Sequence, residues 1–280
     1  MTAEPFGDTI CELGEGPLWH PERGQLFWFD ILGRRLLTRA AGEERAWSFE
    51  APVSAAGWID RDRLLVASAV ALTVFDVETG TGEELCPLEA GNPATRSNDG
   101  RADPWGGFWI GTMGRRAEKG AGAIYRWHRG ELRRLVSGLT IPNAICFAPD
   151  GACAYWTDTP TGRILRQPLG PEGWPAGEPE VFLDAAGAEW GPDGAVTDTE
   201  GCLWNAQWGA GRVARYATDG ALLSTWQVPT PQASCPAFGG PDLTTLHVTT
   251  AAEGGQPPPA GRTFAIETGI AGRPEPRVRL

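Results

Sequence analysis

Apolar residues along this chain come in short runs broken by Gly, Pro, Asp and Asn, as in LFWFDILGRRLLTR, LLVASAVALTVFDVETG, AYWTDTPTGRILRQ and LWNAQWGAGRVARYATDG. Nowhere does an apolar pattern of period 3.6 persist for the roughly 10 to 12 residues that a helix demands. Short runs bounded by turn formers read as strands. An acidic turn residue followed six positions later by an aromatic or branched residue recurs along the chain: Glu22 to Trp28, Asp60 to Val66, Asp103 to Trp109, Asp150 to Trp156, Asp198 to Trp204 and Asp242 to Val248. Successive acids stand 38, 43, 47, 48 and 44 residues apart, and a four-stranded propeller blade takes roughly 40 to 50. The pattern therefore predicts an all-β fold, a six-bladed β-propeller with four antiparallel strands per blade, as one domain over residues 1–280. Closing the ring leaves only short, protected sheet edges. The first ten residues are expected to add an outer strand to the last blade, which RTFAIETG and EPRVRL alone leave short.

The first strand of each blade lies against the central channel, so its opening residues converge on the axis. Counting back five or seven residues from each acid selects Glu15, Ala55, Asn98, Asn143, Asp193 and Cys235. Five and seven differ by the strand period of two, so all six share one facing. Four of them carry side-chain oxygens into a channel where a buried carboxylate needs a partner, and no basic residue shares their phase. Two readings follow. Either one divalent metal ion (Ca, Mg, Mn, Zn or Fe(II)) joins them, or Glu15 and Asp193 merely cap strand starts and bond neighbouring loops. The same count separates the two Pro-Asp-Gly tripeptides: Asp150 falls in the turn phase and Asp193 in the axial phase.

Composition narrows the function classes. Abundant Gly and Pro (38 and 24 of 280) with 13 Trp suit many short strands and tight turns. A net charge of −11 excludes a phosphate-neutralising surface, so no nucleic-acid partner is expected. The longest apolar run, Leu64 to Phe75, has 12 residues, whereas a membrane-spanning helix takes about 20. No membrane partner is expected, and the run reads as buried strand. MTAEPFGDTICELGEGP lacks the basic and apolar segments of a secretory signal, and the six cysteines show no CxxC pairing. A cytoplasmic, reduced, monomeric protein is the expectation. The three histidines, His20, His128 and His247, occupy turn or strand phases far apart in the repeat, and G-x-S-x-G and H-E-x-x-H are both absent. A serine triad and a zinc-protease site are thereby excluded, and Cys235, with no histidine near it in phase, reads as a small buried residue lining the channel.

Five stretches, LGEGPLWHPERGQLFWFDI, RSNDGRADPWGGFWIGTM, GLTIPNAICFAPDGACAYWTDT, GPDGAVTDTEGCLWNAQWGAGRVARY and CPAFGGPDLTTLHVTTA, occur in order over nearly the whole chain. Together they resemble the regucalcin, gluconolactonase and luciferin-regenerating enzyme family of six-bladed propellers, and the C-terminal AGRPEPRVRL looks like its bacterial sugar-lactonase branch. The resemblance implies metal-dependent hydrolysis of a five- or six-carbon aldonolactone such as xylonolactone or gluconolactone. It assigns Glu15, Asn143 and Asp193 to the metal, and Arg96 and Asn98 of R-S-N-D-G to the substrate. Some animal members carry a substrate-contacting acid soon after G-T-M; here Met113 is followed by GRRAEKG, which makes Arg116 and Glu118 the candidates and the segment 114–122 a candidate lid. Asp193 is the expected general base, with Glu15 second. Trp190 and Trp208, beside the axial phase, either pack within their blades, the commoner use of tryptophan in a propeller, or floor the pocket. The competing readings are a non-catalytic calcium-binding or protein-interaction propeller, and a related esterase or organophosphate hydrolase on the same site.

Overall fold

The structure, a computed structural model, describes residues 3–280. Its strands form six separate four-stranded sheets, every pairing antiparallel. The inner strands are Gly14–His20, Val53–Trp58, Thr95–Ala102, Pro142–Phe147, Gly191–Thr197 and Ala233–Gly239, in blades 1 to 6. Each touches the inner strands of the blades before and after it, the sixth touching the first, so the ring is closed. Among the described residues the only helical turn is Thr159–Thr161. The fold is a six-bladed β-propeller.

Four of the six acids of the repeat are turn locks. Asp60, Asp103, Asp150 and Asp198 each accept the backbone N–H of the residue two positions on, at 3.2, 2.9, 2.9 and 2.9 Å, the self-closing turn that makes Asp common at these positions. Glu22 and Asp242 occupy their turns without such a bond among the described residues. The aromatic or branched residue six positions later lies within the second strand, not at its start as its spacing suggested, and is buried. Trp204 lies 4.2 Å from Trp226 and edge-on to Phe238 of the next blade, and Trp109 meets Phe147 edge-on across another seam. The apolar clusters accordingly sit between neighbouring sheets rather than at one centre, which leaves the axis free for polar side chains. The 12-residue apolar run is a buried hairpin, Arg63–Ser68 and Ala71–Asp76, turning at Ala69–Val70.

The last blade is completed from the start of the chain. Glu4–Pro5 pairs with the strand Phe264–Glu267, Pro5 opposite Phe264, with proline on the edge strand, where its missing N–H costs no ladder bond. EPRVRL, by contrast, is not part of that blade. After Ala271, which accepts the Thr199 N–H on blade 5, the tail crosses the far end of the ring to blades 2 and 3, where Val278 N–H bonds the Trp58 carbonyl and Arg279 N–H that of Gly106. Blades 5 and 2 face each other across a six-membered ring, so the tail spans the channel. Val278 is fully buried among Ala55, Leu65, Ala102 and Phe108, and Glu275 drops into the channel to pair with Arg101 of the blade 3 inner strand.

Candidate active site

All six inner strands break their ladder at the same level. The register shifts fall at Glu15/Leu18, Val53/Ala55, Ser97/Gly100, Asn143/Cys146, Pro192/Ala195 and Ala233/Cys235. A bulge releases residues from pairing and re-aims their side chains. Asn98 and Asp193 are such released residues, Glu15 and Asn143 are the last paired residues before the break, and all four face the channel mouth. Glycines make room for the two acids. A Cβ on Gly14 would lie 2.4 Å from the Thr250 carbonyl oxygen, and one on Gly16 (φ +52°) 2.2 Å from that of Ser54. Gly194 follows Asp193 at a point where a Cβ would meet the Cys235 sulfur at 2.3 Å. In the other Pro-Asp-Gly, Gly151 serves instead to reach φ +71° in an exposed turn.

Glu15, Arg96, Asn98, Arg116, Asn143 and Asp193 line one cavity of about 380 Å³, together with Trp208, Arg115, Met113, Thr159 and Glu253, a size within the usual range for small-molecule sites. Glu118 is not among its lining residues: its carboxylate folds back to accept the Arg116 backbone N–H at 3.0 Å. Trp190 likewise stays off the wall. A groove of about 460 Å³ between blades 4 and 5 is larger, but Arg166 and Glu180 pair there and it holds no buried, unpartnered polar atom. The three histidines lie elsewhere, His20 on the Asp60 carbonyl, His128 beside Trp174, and His247 between Trp19 and Phe6.

Hydrogen bonds fix the orientation of the carboxamides. Thr159 gives its hydroxyl proton to the Pro192 carbonyl (2.8 Å), so toward Asn143 it can only accept, and Asn143 Nδ2 donates to it at 3.0 Å. Asn143 Oδ1 must then face the channel, where Asn98 Nδ2 reaches it at 2.8 Å. Asn98 Nδ2 also donates to the Pro142 carbonyl, and its Oδ1 accepts Arg96 Nη1 at 2.8 Å. A carbonyl oxygen has two lone pairs, so Asn143 Oδ1 keeps one free. Asn98 has committed both amide hydrogens to this relay and offers a ligand only a lone pair of Oδ1.

The acids are left short of partners. Glu15 accepts one N–H, from Gly16 at 3.0 Å, and Asp193 Oδ1 is buried with no partner among the described residues. Burial, reinforced by the charge of Asp99, pushes the Glu15 carboxyl up to about 8. Burial, with the charges of Glu15 and Asp99, holds Asp193 well above the usual carboxylate range. Asp99 sits just below, bonded to the Ile145 N–H at 2.7 Å and pushed up to about 6 by burial. Arg96 faces these groups without an ion pair, its own pKa lowered to about 10 by burial. Three buried carboxyls face Arg96, while the Arg101 below Asp99 is already paired with Glu275, an arrangement that a divalent cation stabilises. The donors are all oxygens, which suits a hard cation. Among the described residues no three His, Cys, Asp or Glu side chains converge as ligands; the free lone pair of the Asn143 carboxamide is a further oxygen available beside Glu15 and Asp193. The residues therefore fit a metal.

Asp99, Thr159, Glu253 and the Arg101–Glu275 pair were not selected by the axial count. Asp99 was within reach of it, because a bulge two residues wide sends Asn98 and its neighbour inward together.

A family model described as SMP-30/Gluconolactonase/LRE-like region matches residues 13–252. The pentonolactonase XacC of Haloferax volcanii is 35% identical over the whole of both chains. The 6-deoxy-6-sulfogluconolactonase of Pseudomonas putida is 34% identical over 94% of each. Among solved structures, that of a calcium-binding protein, regucalcin, from Agrobacterium tumefaciens superposes with a TM-score of 0.97 at 42% identity, covering 100% of this chain and 98% of its own.

Proposed function

The chain belongs to the SMP-30/gluconolactonase/LRE-like family, and from that premise we propose that it hydrolyses five- or six-carbon aldonolactones to aldonic acids, with one divalent cation held by Glu15, Asn143 and Asp193. End-to-end relatives named for lactonase activity support a sugar lactone hydrolase. The observation that carries the metal-assisted reading is Asp193 Oδ1, a buried carboxylate oxygen without a protein partner, aimed into a cavity that also holds Glu15.

Opening a lactone adds water to the ring carbonyl carbon, breaks the bond from that carbon to the ring oxygen, and delivers a proton to the departing oxygen. When bound, the cation supplies Lewis acidity, polarising the carbonyl and making water more acidic. Asp193 takes the proton from the attacking water and passes it to the ring oxygen; Glu15 is the second candidate for that role. Arg96 spends Nη1 on Ser97 and Asn98. Its remaining donors, without protein acceptors among the described residues, hold sugar oxygens and the carboxylate formed by opening. Asn98 keeps the Asn143 oxygen turned to the axis and offers its own Oδ1 to a sugar hydroxyl.

The test is a panel of aldonolactones assayed above the spontaneous rate with chelator-stripped protein and with protein reloaded with Ca, Mg, Mn, Zn or Fe(II). Acceleration that vanishes on stripping and returns on reloading is expected. Cation binding without acceleration of any lactone would refute the enzymatic reading.

A further inference from the structure

We propose that the lactone this site prefers carries an anionic group, a sulfonate, phosphate or carboxylate on the substituent remote from the carbonyl, and that Arg115 and Arg116 recognise it. The inference rests on the lactonase reading above and concerns the other end of the same cavity.

The cavity has two ends of different character. At the inner end Asp193, Glu15 and Arg96 are 6%, 5% and 8% exposed; at the rim Arg115 and Arg116 are exposed and belong to the same wall. A lactone whose carbonyl reaches Asp193 points its exocyclic substituent outward, toward these two side chains. Neither guanidinium is in an ion pair among the described residues. Arg115 Nε donates to the Pro93 carbonyl at 2.9 Å, which orients the group while its terminal nitrogens stay free. The Arg116 side chain has no partner among the described residues. In a chain with 24 Lys and Arg against 35 Asp and Glu, composition does not place two unpaired arginines next to a third, Arg96, around one cavity.

The turn that presents them is built to hold still. Arg115 N–H bonds the Ala94 carbonyl and Ala117 N–H that of Gly114, both at 2.9 Å. Glu118 pins the Arg116 N–H from beneath, in space that exists because residue 114 is glycine: a Cβ there would lie 2.2 Å from Glu118 Oε2. Glu118 thus positions the arginine turn. Glu253, from the blade 6 side, shares the mouth with the pair, and the Glu118 carboxylate is turned to the backbone beneath it, so the guanidinium donors of Arg115 and Arg116 are the ones left to face a ligand at the rim. A guanidinium fork matches the planar or tetrahedral oxyanion in question.

The experiment compares kcat/KM of the metal-loaded protein for gluconolactone with that for 6-phosphogluconolactone, 6-deoxy-6-sulfogluconolactone and glucaro-1,4-lactone, at two salt concentrations. At low salt at least one anionic lactone should be favoured about tenfold, the worth of one charge-assisted contact, and the preference should shrink as salt rises. In R115Q/R116Q the anionic-to-neutral ratio should collapse toward one, and in R115E/R116E it should fall below one. The three arms identify which oxyanion is taken. Hydrolysis of gluconolactone with no preference for any anionic lactone, or a preference that survives in R115Q/R116Q, overturns this proposal and leaves the lactonase reading standing. Failure to hydrolyse any of the four overturns both.

Discussion

Replacing Glu275 by Ala removes the carboxylate that the C-terminal tail inserts beneath the active site. Arg101 would keep its bonds to the Ile145 and Ala195 carbonyls, at 3.3 and 3.2 Å, but would lose its ion-pair partner. The two side chains are 9% and 6% exposed, so water does not replace what is removed. Stranding a buried charge in this way costs about 3–5 kcal/mol. Unfolding entropy of about 2.1 cal/mol/K per residue, over 280 residues, makes about 0.6 kcal/mol/K, so the melting temperature should drop by about 5–8 °C. Differential scanning calorimetry on the metal-free protein measures this. Glu172→Ala is the control: its pair with Arg129 is 3.6 Å long with side chains 75% and 68% exposed, and such pairs contribute little. Arg101→Met combined with Glu275→Leu should recover most of the loss, because an apolar pair of similar volume strands no charge. A Glu275→Ala protein melting within about 2 °C of the parent would refute the buried-pair reasoning, as would a double variant no more stable than the single one.

Asp193→Ala should abolish tight divalent-cation binding and lactone hydrolysis together, while Asp150→Ala, which loses only the turn bond to Ala152, keeps both and melts slightly earlier; equal catalytic damage from the two would show that they do not differ in role. His247 gives the pH dependence. Burial pushes its pKa down from 6.5 to about 4, so as pH falls through 6.5 the unfolded chain takes up a proton that the folded one refuses. Stability should decline between pH 6.5 and about 4 by about 3 kcal/mol, and His247→Phe, filling the same space between Trp19 and Phe6, should flatten that part of the denaturation profile.

The propeller was legible because an acid in a turn and an aromatic or branched residue six positions later recur in every blade, sharpened in blades 3, 4 and 5 to an Asp that closes its own turn and a Trp. Both signals are local, and their spacing survives insertions elsewhere in the blade. The axial residues were legible for the same reason: the strand period carries the facing back from the turn to Glu15, Asn98, Asn143 and Asp193. What the period does not encode is contact between distant segments. EPRVRL alternates like an outer strand, yet it is the tail's route across the ring, set by burial of Val278 and Glu275, that decides its place. Thr159, which orients the Asn143 amide, belongs to a short turn on which no repeat falls. Arg116 was selected and Glu118 with it, but which of two neighbours faces the cavity depends on a backbone N–H that Glu118 finds at hand.

The tail that crosses the ring also gives the channel a single door. With Glu275 and Arg101 joined below Asp99, whatever reaches the carboxylates must arrive and depart through the mouth bordered by Arg115, Arg116 and Glu253. Product leaving and substrate arriving therefore share one path, so the open-chain acid should inhibit competitively.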